Sequence, residues 1–232
     1  MAKREPGHIR IYPPFFNSRK YYFNQLRKQI ETVIDQFIKG KKLERLADYG
    51  SGNSPYEPFF SGHTNEYISM DFDENPAISV PLNPDGTIPG YDRHFDIVLS
   101  TQVLEHVSDP LKYLSEAARV LKNEGLLILS THGYWMFHPD PADYWRWTSA
   151  GLKKIVSEAG FEIMYFRGIL GRNASGLQLF QDGFLFKLPP FIRPLWSVIM
   201  QCFVSLTDMF NSQHARDQDA CTYVLVAKVV KQ

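Results

Sequence analysis

Between Thr131 and Thr148 the chain reads Thr-His-Gly-Tyr-Trp-Met-Phe-His-Pro-Asp-Pro-Ala-Asp-Tyr-Trp-Arg-Trp-Thr. This run sets a proton acceptor (His138), an acid (Asp143) and a fixed cation (Arg146) among several aromatic rings. Imidazole titrates near neutrality, so His138 is the candidate general base, with His132 the runner-up. Aromatic rings pack on the apolar face of a sugar ring, and Asp143 or Arg146 would bind hydroxyl or phosphate, so the set suits a sugar or other polyol. A competing reading makes Tyr144, Trp145 and Trp147 core or helix-entry residues and has Arg146 pin the loop through Asp143. His132, His138, Asp140 and Asp143 match no standard metal-ligand spacing, so no metal is expected.

A second set lies upstream. The apolar stretch Leu46-Ala47-Asp48-Tyr49 runs into the turn Gly50-Ser51-Gly52, and 21 positions past Gly50 the stretch Glu66–Met70 ends on Asp71. Gly50 and Gly52 let the backbone bend and approach a ligand with no Cβ in the way, and an acid at the tip of the next strand can accept both ribose hydroxyl protons. A dinucleotide site wants a third glycine over its pyrophosphate, where this chain has Pro55. Asp48 would repel a pyrophosphate but suits a ligand carrying an ammonium and a sulfonium. The turn therefore points to S-adenosylmethionine, with a nicotinamide-dependent oxidoreductase as the rival reading.

Three blocks carry a family resemblance: Asp48-x-Gly50-x-Gly52; Ile88-Pro89 leading to Phe95-Asp96-Ile97-Val98; and Leu104-Glu105-His106-Val107 followed by Glu116-Ala117-Ala118-Arg119-Val120-Leu121-Lys122. In this order the chain resembles the class I S-adenosylmethionine-dependent methyltransferases of the small-molecule kind called type 11, over roughly residues 44 to 170 with a last strand at 221–230. The resemblance implies that Asp48, Gly50 and Gly52 hold the methionine end of the cofactor and Asp71 its ribose. Phe72 would lie against the adenine, Asn83 or Asp85 near its amino group, and Thr101 and Gln102 along the floor after the fourth strand. Glu105-His106 opens the next crossover, either fixing that loop or acting directly. Ser54 stands where the family often has a third loop glycine, and Asn123-Glu124-Gly125 replaces its usual Pro-Gly-Gly turn. The His-Pro…Asp-Tyr-Trp-Arg-Trp-Thr run is similar to runs in methyltransferases associated with cell-surface polysaccharide synthesis, which favours a glycan or glycolipid precursor as acceptor. A non-catalytic, cofactor-binding partner subunit is a further alternative.

The elements that must position these residues follow from periodicity. The alternation of strands and helices predicts an α/β fold with a mostly parallel sheet and helices on both faces, and the resemblance implies that this is the Rossmann-like class I methyltransferase sheet with its last strand antiparallel. A helix from Asn17 or Ser18 to about Lys39 puts Phe23, Leu26, Ile30, Val33, Ile34 and Phe37 on one face. Strands are expected at 44–49, 66–71, weakly at 77–80, then 95–101, 126–130, 161–169 and 221–230. Asp109-Pro110 starts a helix whose buried stripe is Leu111, Leu114, Ala118 and Leu121, and Thr148 or Ser149 caps the next.

At 232 residues the chain suits one methyltransferase domain, with residues 1–43 as a helical extension or lid and 171–220 as an apolar helical insertion. Within that insertion a helix over 194–210 has a single polar stripe, Ser197, Gln201, Ser205 and Asp208, and is otherwise large and apolar. Something must bury it: the substrate cleft beneath a lid, a second copy, or a membrane surface. The formal net charge is zero, which argues against a nucleic-acid partner. It is unevenly spread, because residues 1–45 hold 11 Lys/Arg against 4 Asp/Glu. Two cysteines without metal or redox spacing, and no apolar core after Met1–Glu5, are expectations for a cytoplasmic protein, peripheral to a membrane at most.

Overall fold

Seven strands make one sheet in the computed structural model, which describes residues 7–72 and 78–230. In chain order they are β1 (Leu43–Tyr49), β2 (Thr64–Asp71), β3 (Val80–Pro81), β4 (Phe95–Thr101), β5 (Leu121–His132), β6 (Phe161–Gly171) and β7 (Ala220–Val229). Their spatial order is β3-β2-β1-β4-β5-β7-β6, and β7 alone runs antiparallel to its neighbours. From β1 the chain builds outward through β2 and β3, then returns to the other side of β1 to lay down β4 and β5. That reversal opens a crevice at the carboxyl ends of β1 and β4, where open α/β sheets bind ligands. The expected third strand shrinks to two residues, and residue 77 of that expectation lies outside the described residues.

Eight helices surround the sheet among the described residues: α1 (Gly7–Ile11), α2 (Lys20–Val33), α3 (Glu57–Phe60), α4 (Pro110–Val120), α5 (Ser149–Glu158), α6 (Arg172–Leu185), α7 (Arg193–Asp208) and α8 (Gln213–Gln218). A π-helical turn, Ile34–Ile38, continues α2. The face of α2 that carries Phe23, Leu26, Ile30 and Val33 packs against Leu46, Ile97 and Ile128 on one side of the sheet. On the other side α4 and α5 cover Ala47, Val98, Leu127 and Leu225. The Asp109 carboxylate caps α4 by accepting from Lys112 N, and Thr148 Oγ1 caps α5 by accepting from Gly151 N.

The buried stripe of α4 differs from the expected one. Leu111 is 42 % exposed and Leu121 already belongs to β5, while Tyr113, Leu114, Ala117 and Val120 face the sheet. Polar anchoring sets this rotation. The Tyr113 hydroxyl donates to the Tyr49 carbonyl (2.9 Å) and lies 2.8 Å from Ser100 Oγ, and its ring stacks on Tyr49. One turn on, Glu116 accepts from Ile88 N and from Arg119, which ties the helix to the loop before β4.

Candidate active site

The bend after β1 is built around Gly50. Its φ is +79°, and a Cβ placed there would meet the branched side chain of Val103 at 2.6 Å. Both costs fall on any other residue, so Gly50→Ala should destabilise the fold by about 2–4 kcal/mol, combining left-handed strain with overpacking. Urea unfolding measures this directly. A Val103→Ala partner should relieve only the overpacking share; full recovery in the double variant would remove the strain argument. Gly52 is also left-handed, and so is Ser54 (φ +45°), which thus adopts glycine-like backbone where the resemblance leads one to expect a glycine. Asp71 pins the bend, its Oδ2 accepting from Gly52 N and its Oδ1 from Phe72 N, each at 2.9 Å.

Asp48 lies beneath this bend, 2 % exposed. Its Oδ2 accepts from the Tyr67 hydroxyl, but Oδ1 has no hydrogen-bond partner among the described residues. Burial raises its pKa to about 7, against the opposing pull of the Tyr67 hydrogen bond. A buried carboxylate oxygen with nothing to bind, beside a turn that admits no Cβ, fits a ligand bearing an ammonium group. S-adenosylmethionine has such a group.

The remaining cofactor candidates fall at the same strand ends. The Phe72 ring is 45 % exposed just beyond β2, leaving a flat apolar surface at the crevice. Asn83 and Asp85 belong to one tight turn: Asn83 donates to Thr87 Oγ1, and Asp85 accepts from Thr87 and from Lys112 Nζ. The Lys112 hydrogen bond, followed by those from Thr87, holds the Asp85 carboxyl well below its ordinary range. The Tyr49 hydroxyl donates to Gly86 O, tying this turn to the end of β1. Thr101 is buried at the end of β4, and Gln102 follows it in left-handed backbone (φ +58°). The Gln102 amide is engaged at both ends, donating to Ser130 Oγ and accepting from the Tyr22 hydroxyl of α2.

Beside these residues three imidazoles converge on one carboxylate. His132, at the end of β5, stacks on Trp135 (4.4 Å between centroids), and His138 meets both His132 and His106 edge to face at 5.1 and 4.8 Å. Glu105 is fully buried; its Oε2 accepts from Thr131 Oγ1. Its Oε1 lies 3.2 Å from His132 Nε2 without an aligned hydrogen bond. Burial raises the Glu105 pKa, while burial followed by the nearby His138 and Arg146 charges pushes His132 well below its ordinary value. Glu105, His132 and His138 each bring a ligand atom within 4.8 Å of the others, so this is the place where the described residues could hold a divalent ion.

Like His106, His138 is a partly open member of the cluster. Its Nδ1 lies 3.1 Å from Met136 O and 3.4 Å from Asp143 Oδ2, both acceptors, which assigns the proton to Nδ1 and leaves the Nε2 lone pair available. Burial, with His106 next, lowers its pKa. Asp143 also accepts from His138 N and takes a two-pronged hydrogen bond from Arg146, both prongs 2.6 Å. Burial opposes the Asp143 charge, but Arg146 and the His138 N–H outweigh it and hold its pKa low. All five guanidinium N–H donors of Arg146 are used within the loop, on Asp143 and on the carbonyls of Trp135, Met136 and Trp145. The loop-pinning reading of Arg146 and Asp143 accounts for these contacts, and the pair fixes the His138 backbone and ring.

Several neighbours of this site carry no local signal in the sequence. The Thr222 hydroxyl of β7 lies 3.1 Å from His132 Nδ1 and donates to the Tyr22 hydroxyl at 3.2 Å. Tyr22 packs on Trp135, and the Arg19 guanidinium sits 5.0 Å over the Trp135 ring. These partners come from opposite ends of the chain and meet only through the sheet. The Glu105-His106 pair was the available clue to the buried acid, and its residue types alone did not say which member faces inward.

The family model described as "Methyltransferase domain" matches residues 19–165. A Mycobacterium tuberculosis (strain H37Rv) protein, named as a probable S-adenosylmethionine-dependent methyltransferase, is 32 % identical over 135 residues, covering 54 % of this chain and 48 % of its own. The chain thus spans about half the length of that curated relative. A ubiquinone biosynthesis O-methyltransferase of Ruegeria sp. (strain TM1040) is 54 % identical over 39 residues, covering 17 % of this chain and 16 % of its own. Among solved structures, a phosphoethanolamine N-methyltransferase 2 of Haemonchus contortus, in complex with phosphomonomethylethanolamine and S-adenosylhomocysteine, superposes with a TM-score of 0.56 at 14 % identity. That match covers 97 % of this chain and 61 % of the other.

Proposed function

The chain belongs to the class I S-adenosylmethionine-dependent methyltransferases, and from that membership we propose that it methylates a hydroxyl on a small acceptor, a glycan or glycolipid precursor being favoured. The observation that carries this reading is the available Nε2 of His138, in a cluster that adjoins the cofactor bend through Val103 and Glu105. When bound, S-adenosylmethionine supplies an electrophilic methyl group. Asp48, the bend at Gly50–Gly52, Asp71 and Phe72 are the groups suited to hold it, with Asn83, Asp85, Thr101 and Gln102 shaping the walls. His138 Nε2 takes the acceptor's hydroxyl proton, and Asp143 and Arg146 keep its ring in place. The exposed rings of Tyr134, Phe137 and Tyr144 offer faces for a sugar or an isoprenoid-like acceptor. The short match to a ubiquinone O-methyltransferase supports a hydroxyl as the methylated group.

Calorimetric titration with S-adenosylhomocysteine and, separately, with NAD tests the premise. Heat with the first and none with the second is expected. The reverse would revive the oxidoreductase reading, and binding without turnover on any hydroxyl acceptor would favour a partner subunit. The 194–210 segment supports either contact with a membrane surface or a homodimer.

A further inference from the structure

Helices α6 and α7 form an antiparallel pair whose amphipathic order is inverted. On α7 the polar stripe faces inward: Ser197, Gln201 and Asp208 are buried. Gln201 donates to Gln178 and Gln181 of α6 and accepts from Tyr21 N, while both glutamines of α6 donate to Ser18 O. Asp208 accepts from the Tyr21 hydroxyl, Gly171 N and Arg216. This network leaves the apolar face pointing out. Leu195, Ile199, Phe203, Leu206 and Phe210, three or four apart along one face, are 63, 43, 52, 51 and 81 % exposed. On α6 the same inversion buries Ser175, Gln178, Gln181 and Asp182 and exposes Phe180 and Phe184. At the turn between the helices Phe186 and Phe191 stand 75 and 82 % exposed.

Isolated exposed apolar residues are ordinary, but a contiguous face of this kind marks an interaction surface. Charge decides the partner. Between residues 173 and 212 the acids are Asp182 and Asp208, both buried, and the cations are Lys187 and Arg193, beside the two protruding phenylalanines. Aromatic residues flanked by cations with no exposed acid match the boundary of an anionic bilayer, into which rings insert while ammonium and guanidinium groups meet headgroups. Among the described residues no helix is long and apolar enough to cross a membrane, so the contact is with one leaflet. An open groove of about 390 Å³ between α2 and α7, lined by Phe15, Tyr21, Val198, Leu206 and Met209 among others, extends the same face. The inverted pair also adjoins the active site, because Arg19 over Trp135 lies 3.8 Å from Asp182 of α6.

We propose that the outward face of α6 and α7, led by Phe186 and Phe191, docks on the surface of an anionic lipid bilayer. The inference goes beyond the methyl-transfer reading, and its test needs no turnover. The full chain is floated with phosphatidylcholine vesicles that contain or lack phosphatidylglycerol. Co-flotation with the anionic vesicles, reduced at least tenfold by the paired substitutions F186D and F191D, is expected. The variant should keep wild-type circular dichroism and S-adenosylhomocysteine binding, which separates a lost surface from a lost fold. A variant that no longer folds would be replaced by K187E alone, because Arg193 donates to the Leu188 and Phe186 carbonyls and holds the turn; K187E should weaken anionic-vesicle binding without touching those contacts. Absence of wild-type co-flotation would overturn the proposal. So would undiminished flotation of a folded variant, or a dimer that persists on dilution and buries this face.

Discussion

His138→Ala should lower methyl-transfer turnover roughly a hundredfold or more, because the acceptor hydroxyl loses the group that takes its proton. Cofactor affinity should stay nearly unchanged, since His138 belongs to the loop after β5 and the candidate cofactor groups to β1, β2, the bend, the turn after β3 and the end of β4. Asp143→Asn should have a smaller effect on turnover and shift the acid limb of its pH profile, as expected if Asp143 only holds the ring of the proposed base. The sign of that limb follows from the site. His138 works as a base only when neutral, and burial lowers its pKa, so turnover should be full at neutral pH and fall only below the ordinary imidazole range. Equal turnover in wild type and His138→Ala would end the general-base role. A chelator control belongs in the same experiment: undiminished turnover after dialysis against EDTA is expected of a base, and loss restored by a divalent ion would make the Glu105–His132–His138 cluster a metal centre instead.

Asp48→Asn should separate stability from function. In the free protein burial holds the Asp48 pKa at about 7, above the unfolded value near 3.8. The folded state therefore binds the proton more tightly than the unfolded chain does, and stability declines as pH rises from about 4 to 7. By pH 8 the buried charge costs on the order of 4 kcal/mol, and asparagine, which can still accept from Tyr67, should recover much of it. A higher urea midpoint for the variant at pH 8, with little difference at pH 4, would show this. Cofactor binding should move the other way. An ammonium group favours the ionised carboxylate, so wild-type affinity for S-adenosylhomocysteine should rise with pH up to about 7 and level off above it. The asparagine variant should bind weakly at every pH, with no such slope. A variant that kept both the affinity and its pH dependence would remove Asp48 from the cofactor site.

Much of the cofactor half of this protein is local in sequence. Asp48, Gly50, Gly52 and Asp71 occupy a strand end, a turn and the next strand end, and strand and turn propensities place each in its element, while the β1–β2 pairing brings Asp71 to the bend. The alternation of elements gives the mostly parallel sheet, whereas the antiparallel last strand was implied by the family resemblance and the strand order is seen only in the fold. Ser54 shows how far local rules reach: its side chain is not glycine, yet the turn geometry demands left-handed backbone there.

The acceptor half is different. The groups of the proposed acceptor site are Tyr22 on α2, Glu105 after β4, His132 and His138 on and after β5, and Thr222 on β7, and no periodicity links them. Only the sheet's β1-β4-β5-β7 adjacency brings them together. Whether Arg146 would bind acceptor or loop was likewise open, because a guanidinium has five donors and only folded coordinates show where all five go. The α6–α7 pair makes the point most sharply. Its polar stripe could be read directly, and amphipathic logic would have turned that stripe toward water. A tertiary network of three glutamines and Asp208 turned it inward, since buried amides satisfied by one another cost little, and the apolar face was left for a partner outside the chain. Sequence alone determined what the residues near the cofactor can do. Which way the helices face, and which residues gather in the proposed acceptor site, was decided by contacts between segments far apart in the chain.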